Sequence, residues 1–161
     1  MRLALLALAL LAACGHETAT CADDLALDLS QFTVDGYNAV IKDSGGGNVN
    51  VTWTCPGGGS ASITGTANTQ TVTFDTDWTF HMCTDDVLGS TLTLDGVLHQ
   101  NTMNGSMAST DVETGHSDAL KLFGHNHICD ADPIDNTCVV DYTIKGAGTD
   151  DTGSICGITF P

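Results

Sequence analysis

Basic residues are scarce in this chain. Four Lys and Arg stand against 20 Asp and Glu among its 161 residues, which gives a formal net charge of −16 at pH 7. Proteins that bind DNA, RNA or an anionic lipid surface supply positive charge to displace counterions. The composition therefore argues against nucleic acid as a partner. It favours a basic partner, or one bridged to the protein by a cation.

Long apolar runs are also lacking, apart from one at the start of the chain. Leu and Ala fill every position from Leu3 to Leu11. A membrane-spanning helix needs about 20 apolar residues, so this run is too short to act as one. Arg2 precedes the run and small residues follow it, which is typical of a secretory signal peptide.

The residues that follow this run form a short motif. Leu11-Ala12-Ala13-Cys14, followed by Gly15, resembles the lipobox of bacterial lipoproteins. The resemblance implies cleavage before Cys14 and acylation of that cysteine, and two or more acyl chains hold a protein stably on a membrane. In many Gram-negative bacteria an aspartate after the cysteine signals retention at the inner membrane, so Gly15 favours the outer membrane. We therefore expect a signal peptide over 1–13, a lipidated polar tether over 14–24 and a single β domain over 25–161.

The chain has seven cysteines, and assigning Cys14 to the anchor leaves six. In an oxidising compartment an even number of cysteines predicts disulfides, here three, for which 15 pairings are open. We favour Cys55–Cys83, because these residues face each other if a hairpin centred on Thr69 extends its ladder. Cys129–Cys138 would close a short loop, and Cys21–Cys156 would join the two ends of the domain.

Proline and glutamate are rare, whereas Thr, Val, Gly and Asp dominate from about residue 25 onward. Short runs of alternating β-branched and polar residues separated by Gly and Asp predict antiparallel β structure. We expect an all-β meander or sandwich of about eight strands, with curling in the manner of a barrel as one option. Four glycines, Gly65, Gly96, Gly124 and Gly146, each follow an apolar-x-apolar-x pattern and predict bends in the strands.

Residues 23–42 fit a helix and a strand about equally well. The alternation in "LALDL" favours a strand over 25–34, whereas "YNAVIK" suits one helical turn. The segment 117–123 contains helix-friendly residues, but its alternation and its β setting favour a strand.

Three groups of side chains suggest metal binding. Asp130, Asp132 and Asp135 lie in one short loop and supply the oxygen ligands that calcium prefers, but the EF-hand pattern is absent and a plain acidic hairpin loop is the favoured interpretation. His125 and His127 share one strand face and suit zinc or copper, with Cys129 beside them. His81, Met82 and Cys83 form a similar cluster. Thiolate ligands compete with disulfides for these cysteines.

Three classes of function remain open. Beyond the lipobox, the pattern resembles glycine-bent β domains of uncharacterised bacterial lipoproteins, and this resemblance implies no activity. The first expectation is a structural or interaction module that presents a β surface to another envelope component. The second is a domain that binds calcium or a small ligand, for which Trp53 and Trp78 would line a face or cavity rather than the core. A metal-dependent enzyme comes last, because no nucleophile–base or metal–base arrangement stands out.

Overall fold

The computed structural model describes residues 21–42, 46–71, 73–103, 112–125, 134–145 and 151–160. One helix precedes a set of β-strands. The elements are α1 (Cys21–Gly36), a π-helical turn (Tyr37–Ile41), β1 (Gly47–Thr54), β2 (Gly58–Asn68), β3 (Thr73–Val87), β4 (Ser90–Met103), β5 (Val112–His125), β6 (Ile134–Lys145), β7 (Thr152–Ile155) and β8 (Ile158–Thr159).

The strands form one antiparallel sheet in the order in which they occur in the sequence. The predicted antiparallel meander of about eight strands is thereby confirmed. The sheet is not closed, because β1 and β8 form its two ends. Gly65, Gly96 and Gly124 adopt φ values of 140°, 122° and 122°, which side chains rarely tolerate, as expected for bends. Gly146 lies outside the described residues.

The predicted strand over 25–34 is wrong, because this segment belongs to α1. A strand would place Leu25, Leu27 and Leu29 on one face. In the structure Leu25 and Leu29 are buried, whereas Leu27 is 46% exposed. The spacing of Leu25, Leu29 and Phe32 is that of one helical face. The helix begins at Cys21, so the last four residues of the predicted tether are helical.

The π-helical turn continues α1 without a break and matches the turn expected for "YNAVIK". None of the helices among the described residues is long and apolar enough to span a membrane.

Helix α1 packs against the inner face of the sheet. The ring of Phe32 contacts Trp53 and Phe80 edge-on, with centroid distances of 5.6 and 5.7 Å. The helix approaches this closely at Gly36, where a Cβ atom would lie 2.7 Å from the ring of Trp78 and 2.8 Å from that of Trp53. Both tryptophans are buried, so they belong to the core rather than to an exposed face.

Cys55 and Cys83 form a disulfide, as predicted, but the hairpin between them has a different register. A hairpin centred on Thr69 would pair Ala67 with Thr71, whereas the structure pairs Ala67 with Phe74. The side chain of Asn68 accepts hydrogen bonds from the backbone N–H groups of residues 70 and 71, which widens the loop. A tight turn at residues 55–59 folds Cys55 back toward Cys83.

The other two predicted pairings are wrong, because Cys138 forms a disulfide with Cys156. Val140 pairs with Ile155 across β6 and β7, which brings Cys138 and Cys156 to a Cα–Cα distance of 4.3 Å. Cys21 is also disulfide-bonded, and its partner is outside the described residues. Spacing along the chain predicted bridges across a loop and between the ends, but strand pairing determines which cysteines meet.

Candidate functional site

The interior contains a polar network centred on Glu113 of β5. Oε1 of Glu113 accepts hydrogen bonds from the Tyr142 hydroxyl and from Nε2 of Gln100, both over 2.9 Å. Its other carboxylate oxygen accepts one from the Ser30 hydroxyl of α1 over 2.7 Å. Nε2 of Gln100 also donates to the Thr33 hydroxyl. One carboxylate therefore connects the helix with strands β4, β5 and β6.

Strand register explains why these side chains meet. Glu113 lies opposite Thr102, and Gly115 lies opposite both Gln100 and Tyr142, so all of them point to the inner face. The pKa of Tyr142 is raised well above its usual value by burial, and further by the charge of Glu113 and the hydrogen bond to it. The phenol therefore remains a neutral donor. Hydrogen bonds to a charged group contribute about 1.5–3 kcal/mol each, so the network stabilises the helix on the sheet.

Another carboxyl group, that of Asp85, is buried farther along the inner face. Asp85 of β3 is 7% exposed, and burial raises its pKa, as do the charges of Asp35 at the end of α1 and of Asp86. The backbone N–H of Asp86 donates a hydrogen bond to Oδ1 of Asp85 over 2.8 Å, and this bond lowers the pKa of Asp85 in part. Asp85 consequently holds its proton more tightly than an exposed aspartate does.

The outer face of the sheet carries a continuous row of ionisable side chains, which we call the acidic ladder. Asp77, His99, His116 and Asp141 lie directly opposite one another on β3, β4, β5 and β6. Nδ1 of His99 lies 2.9 Å from Oδ1 of Asp77, and Nε2 lies 3.4 Å from Oδ1 of Asp75.

The carboxylates of Asp75 and Asp118 extend this row. The side chains of the row are exposed to solvent. Nε2 of His116 lies 3.7 Å from Oδ1 of Asp118. His99 and His116 are about half-exposed, and the carboxylates beside them are more exposed still. The acidic ladder therefore consists of Asp75, Asp77, His99, His116, Asp118 and Asp141.

Few cations lie near this row. On the outer face, Nζ of Lys121 lies 3.1 Å from Oδ2 of Asp95, which is not a member of the row. The acidic ladder contains four carboxylates, those of Asp75, Asp77, Asp118 and Asp141. It is thus an anionic surface, to which the sign of the charge gives a preference for cationic groups.

The predicted metal ligands do not come together in the part of the chain that the structure describes. His127, Cys129, Asp130 and Asp132 are outside it, as is Cys14, and only the backbone of Asp135 is described, opposite Phe123. His125 lies exposed at the end of β5. Cys83 is in a disulfide, so a thiolate site with His81 and Met82 is ruled out. No group of three His, Cys, Asp or Glu among the described residues is placed to hold a metal ion.

The inner face of the sheet is covered by protein. Leu25, Leu29 and Phe32 of α1 are at most 2% exposed, and Trp78 of β3 is completely buried. An open groove of about 300 Å³ lies at the ends of β2, β3 and β4, lined by residues such as Asn68, Phe74 and Asp75. The surfaces available for recognition are therefore on the outside of the described domain.

Reasoning from the sequence missed both the Glu113 network and the acidic ladder. Glu113 carries one signal that sequence reasoning did not use, since it is one of only two glutamates in a chain of 20 acidic residues. The ladder has none, because its members are far apart in sequence and meet only through strand register. No protein-family model, curated protein or solved structure matches this chain.

Proposed function

We propose that the protein is a lipid-anchored module of a bacterial envelope, held on the outer membrane through acylated Cys14. In this proposal the outer face of the sheet binds a basic component of the same envelope. The acidic ladder is the observation that carries the second part, because it places exposed carboxylates of β3, β5 and β6 in one row with the two histidines of β4 and β5.

Two further features support the compartment and the type of function. All five cysteines among the described residues are disulfide-bonded, which fits an oxidising compartment outside the cytoplasm. Helix α1 packs on the inner face of the sheet, so its side chains occupy space in which a small ligand could otherwise bind. A binding function consequently belongs to the outer surface.

The partner is expected to be attracted by charge. A surface with carboxylates on adjacent strands speeds the encounter with a lysine- or arginine-rich surface and loses this advantage as salt screens it. A divalent cation could instead bridge the acidic ladder to an acidic partner. Such a contact would be lost when a chelator is added. The two modes are therefore distinguishable by experiment.

A photoreactive side chain in place of Val97 tests the proposal in native membranes. Val97 is 49% exposed on the outer face of β4, two residues from His99. We expect a cross-link to another envelope protein at a Lys- or Arg-rich segment, and we expect it to weaken as salt increases. Charge reversal by Asp77→Lys with Asp141→Lys should abolish the cross-link.

Asp86→Lys is the control matched to Asp77→Lys alone, because each variant reverses one exposed carboxylate of β3 and Asp86 lies at the far end of the strand. It should leave the cross-link intact. A Val97 probe that gives no adduct, or an adduct that survives reversal of Asp77 and Asp141, would rule out the acidic ladder as the binding surface.

A further inference from the structure

One end of the sheet has no charged residues. Residues 44–74 contain no Asp, Glu, Lys, Arg or His, although the chain has 20 acidic residues. This stretch includes all of β1 and β2. The outer face of β1 presents four exposed neutral side chains, Asn48, Asn50, Thr52 and Thr54. The charge-free hairpin therefore lies next to a strongly acidic remainder.

Strand β1 is also an edge of the sheet as far as the described residues show, and the π-helical turn contacts it. The strand has eight residues and pairs only with β2 among the described residues. Exposed edge strands are normally protected by lysine, proline, a bulge or short length. β1 has no Lys or Pro, and its register with β2 is unshifted from Gly47 to Thr54. The opposite edge, β8, has only two residues.

An apolar side chain marks the middle of this edge. Val49 and Trp53 on the inner face of β1 are 5% and 4% exposed. Val51 lies between them on the same face and is only partly buried. A further strand beside β1 would cover Val51 and would pair the free backbone groups of the edge.

We propose that β1 pairs in antiparallel fashion with β1 of a second copy of this chain, with the two-fold axis at Val51. Such a pair is self-complementary, since neutral side chains face neutral side chains and Val51 meets Val51. Contact through the acidic ladder would instead oppose carboxylates of like charge. A partner attracted by charge has nothing to recognise on β1, so the neutral edge fits a copy of the chain better than a basic protein.

The inference is independent of the acidic ladder and has its own test. The full chain carries a photoreactive side chain in place of Asn50 and is irradiated in its native membrane. We expect a product at twice the mass of the chain. A probe in place of Val97, on the outer face away from the edge, should not give that product.

A second test introduces two aspartates into β1. Asn50→Asp with Thr52→Asp places like charges on both sides of the two-fold axis and should reduce the homodimer severalfold, here with the probe in place of Asn48. The control, Thr64→Asp, puts one charge on the exposed outer face of β2 and should leave the homodimer unchanged. Retained disulfides and an unchanged melting curve show that each variant folds. If irradiation leaves the chain monomeric, or cross-links it to a different protein, the pairing of β1 with β1 of a second copy is wrong.

Discussion

Gly115 and Tyr142 lie directly opposite each other on β5 and β6, and the tyrosine ring occupies the space where a side chain at residue 115 would lie. A Cβ atom on Gly115 would come within 2.3 Å of Cε1 and 2.5 Å of Cζ of that ring. The ring position brings the hydroxyl group to Glu113. The glycine is thus required by the polar network and not by backbone conformation.

Gly115→Ala should destabilise the protein by about 1–3 kcal/mol, the usual cost of overpacking a filled core. The free energy of unfolding from urea titration measures this cost. In a Tyr142→Ala background the ring is gone, and the same substitution should cost much less. If Gly115→Ala alone changes the free energy of unfolding by less than about 0.5 kcal/mol, the ring of Tyr142 can adopt another position in the core.

The two tyrosines predict how the stability of the protein changes at alkaline pH. Burial raises the pKa of Tyr37 above 10.0, and burial together with Glu113 raises that of Tyr142 further. A phenol whose pKa is raised by folding contributes its full stability below the unfolded pKa, and this contribution is lost as the pH rises toward the folded pKa. Stability should therefore fall from about pH 10 upward.

Tyrosinate absorbance measures this directly. At about pH 10 the folded chain should show less tyrosinate than the chain unfolded in urea, in which both phenols ionise at their usual pKa. Tyr142→Phe should halve the absorbance of the unfolded chain and cost about 1.5–3 kcal/mol at neutral pH, because Glu113 loses a donor. If Tyr142 of the folded chain ionised at the usual pKa of a phenol, the buried network would be contradicted.

Two buried threonines differ in their hydrogen bonding and should respond oppositely to valine. The Thr33 hydroxyl donates to the carbonyl of Ser30 and accepts from Gln100. The Thr102 hydroxyl has no hydrogen-bond partner among the described residues. Thr33→Val should cost about 1 kcal/mol, whereas Thr102→Val should be neutral or stabilising. Thermal melts of both variants test the difference, and equal losses would contradict this assignment of partners.

The orientation of α1 is testable with two residues from the same helix. Phe32→Ala removes a ring that contacts Trp53 and Phe80 and should cost about 3–5 kcal/mol. Leu27→Ala changes a half-exposed side chain and should cost about 0.5 kcal/mol or less. Chemical denaturation ranks the two. A larger loss at Leu27 would restore the strand arrangement, in which Leu25, Leu27 and Leu29 share a face.

The sheet could be predicted from the sequence because its signal is local. Alternation with period 2 and glycines at bends are legible in short windows, and the segment 117–123 lies in β5 as expected. Residues 25–34 could not be assigned in this way, because Leu and Ala at both spacings satisfy either periodicity. Packing against Trp53 and Phe80, which are distant in sequence, determines that this segment is a helix.

The candidate site was less predictable because it depends on register. The correct pairing of Cys55 with Cys83 rested on a hairpin register that is off by three residues at Ala67. The shift arises from the loop held by Asn68, whose effect depends on its side-chain geometry. Asp77, His99, His116 and Asp141 align only once the registers of three strand pairs are known. Each of these pairs has a register shift, between Phe80 and Cys83, between Asp95 and His99, and between Ser117 and Leu120.

The lipid anchor underlies the proposed function, and the intact mass of the protein extracted from its native membrane tests it most directly. Thiols are alkylated before the measurement, first under native and then under denaturing conditions. The account predicts a chain that starts at Cys14, carries acyl groups and has no thiol to alkylate without reduction. A chain without acyl groups would contradict the anchor and with it the proposed place of this protein in the envelope.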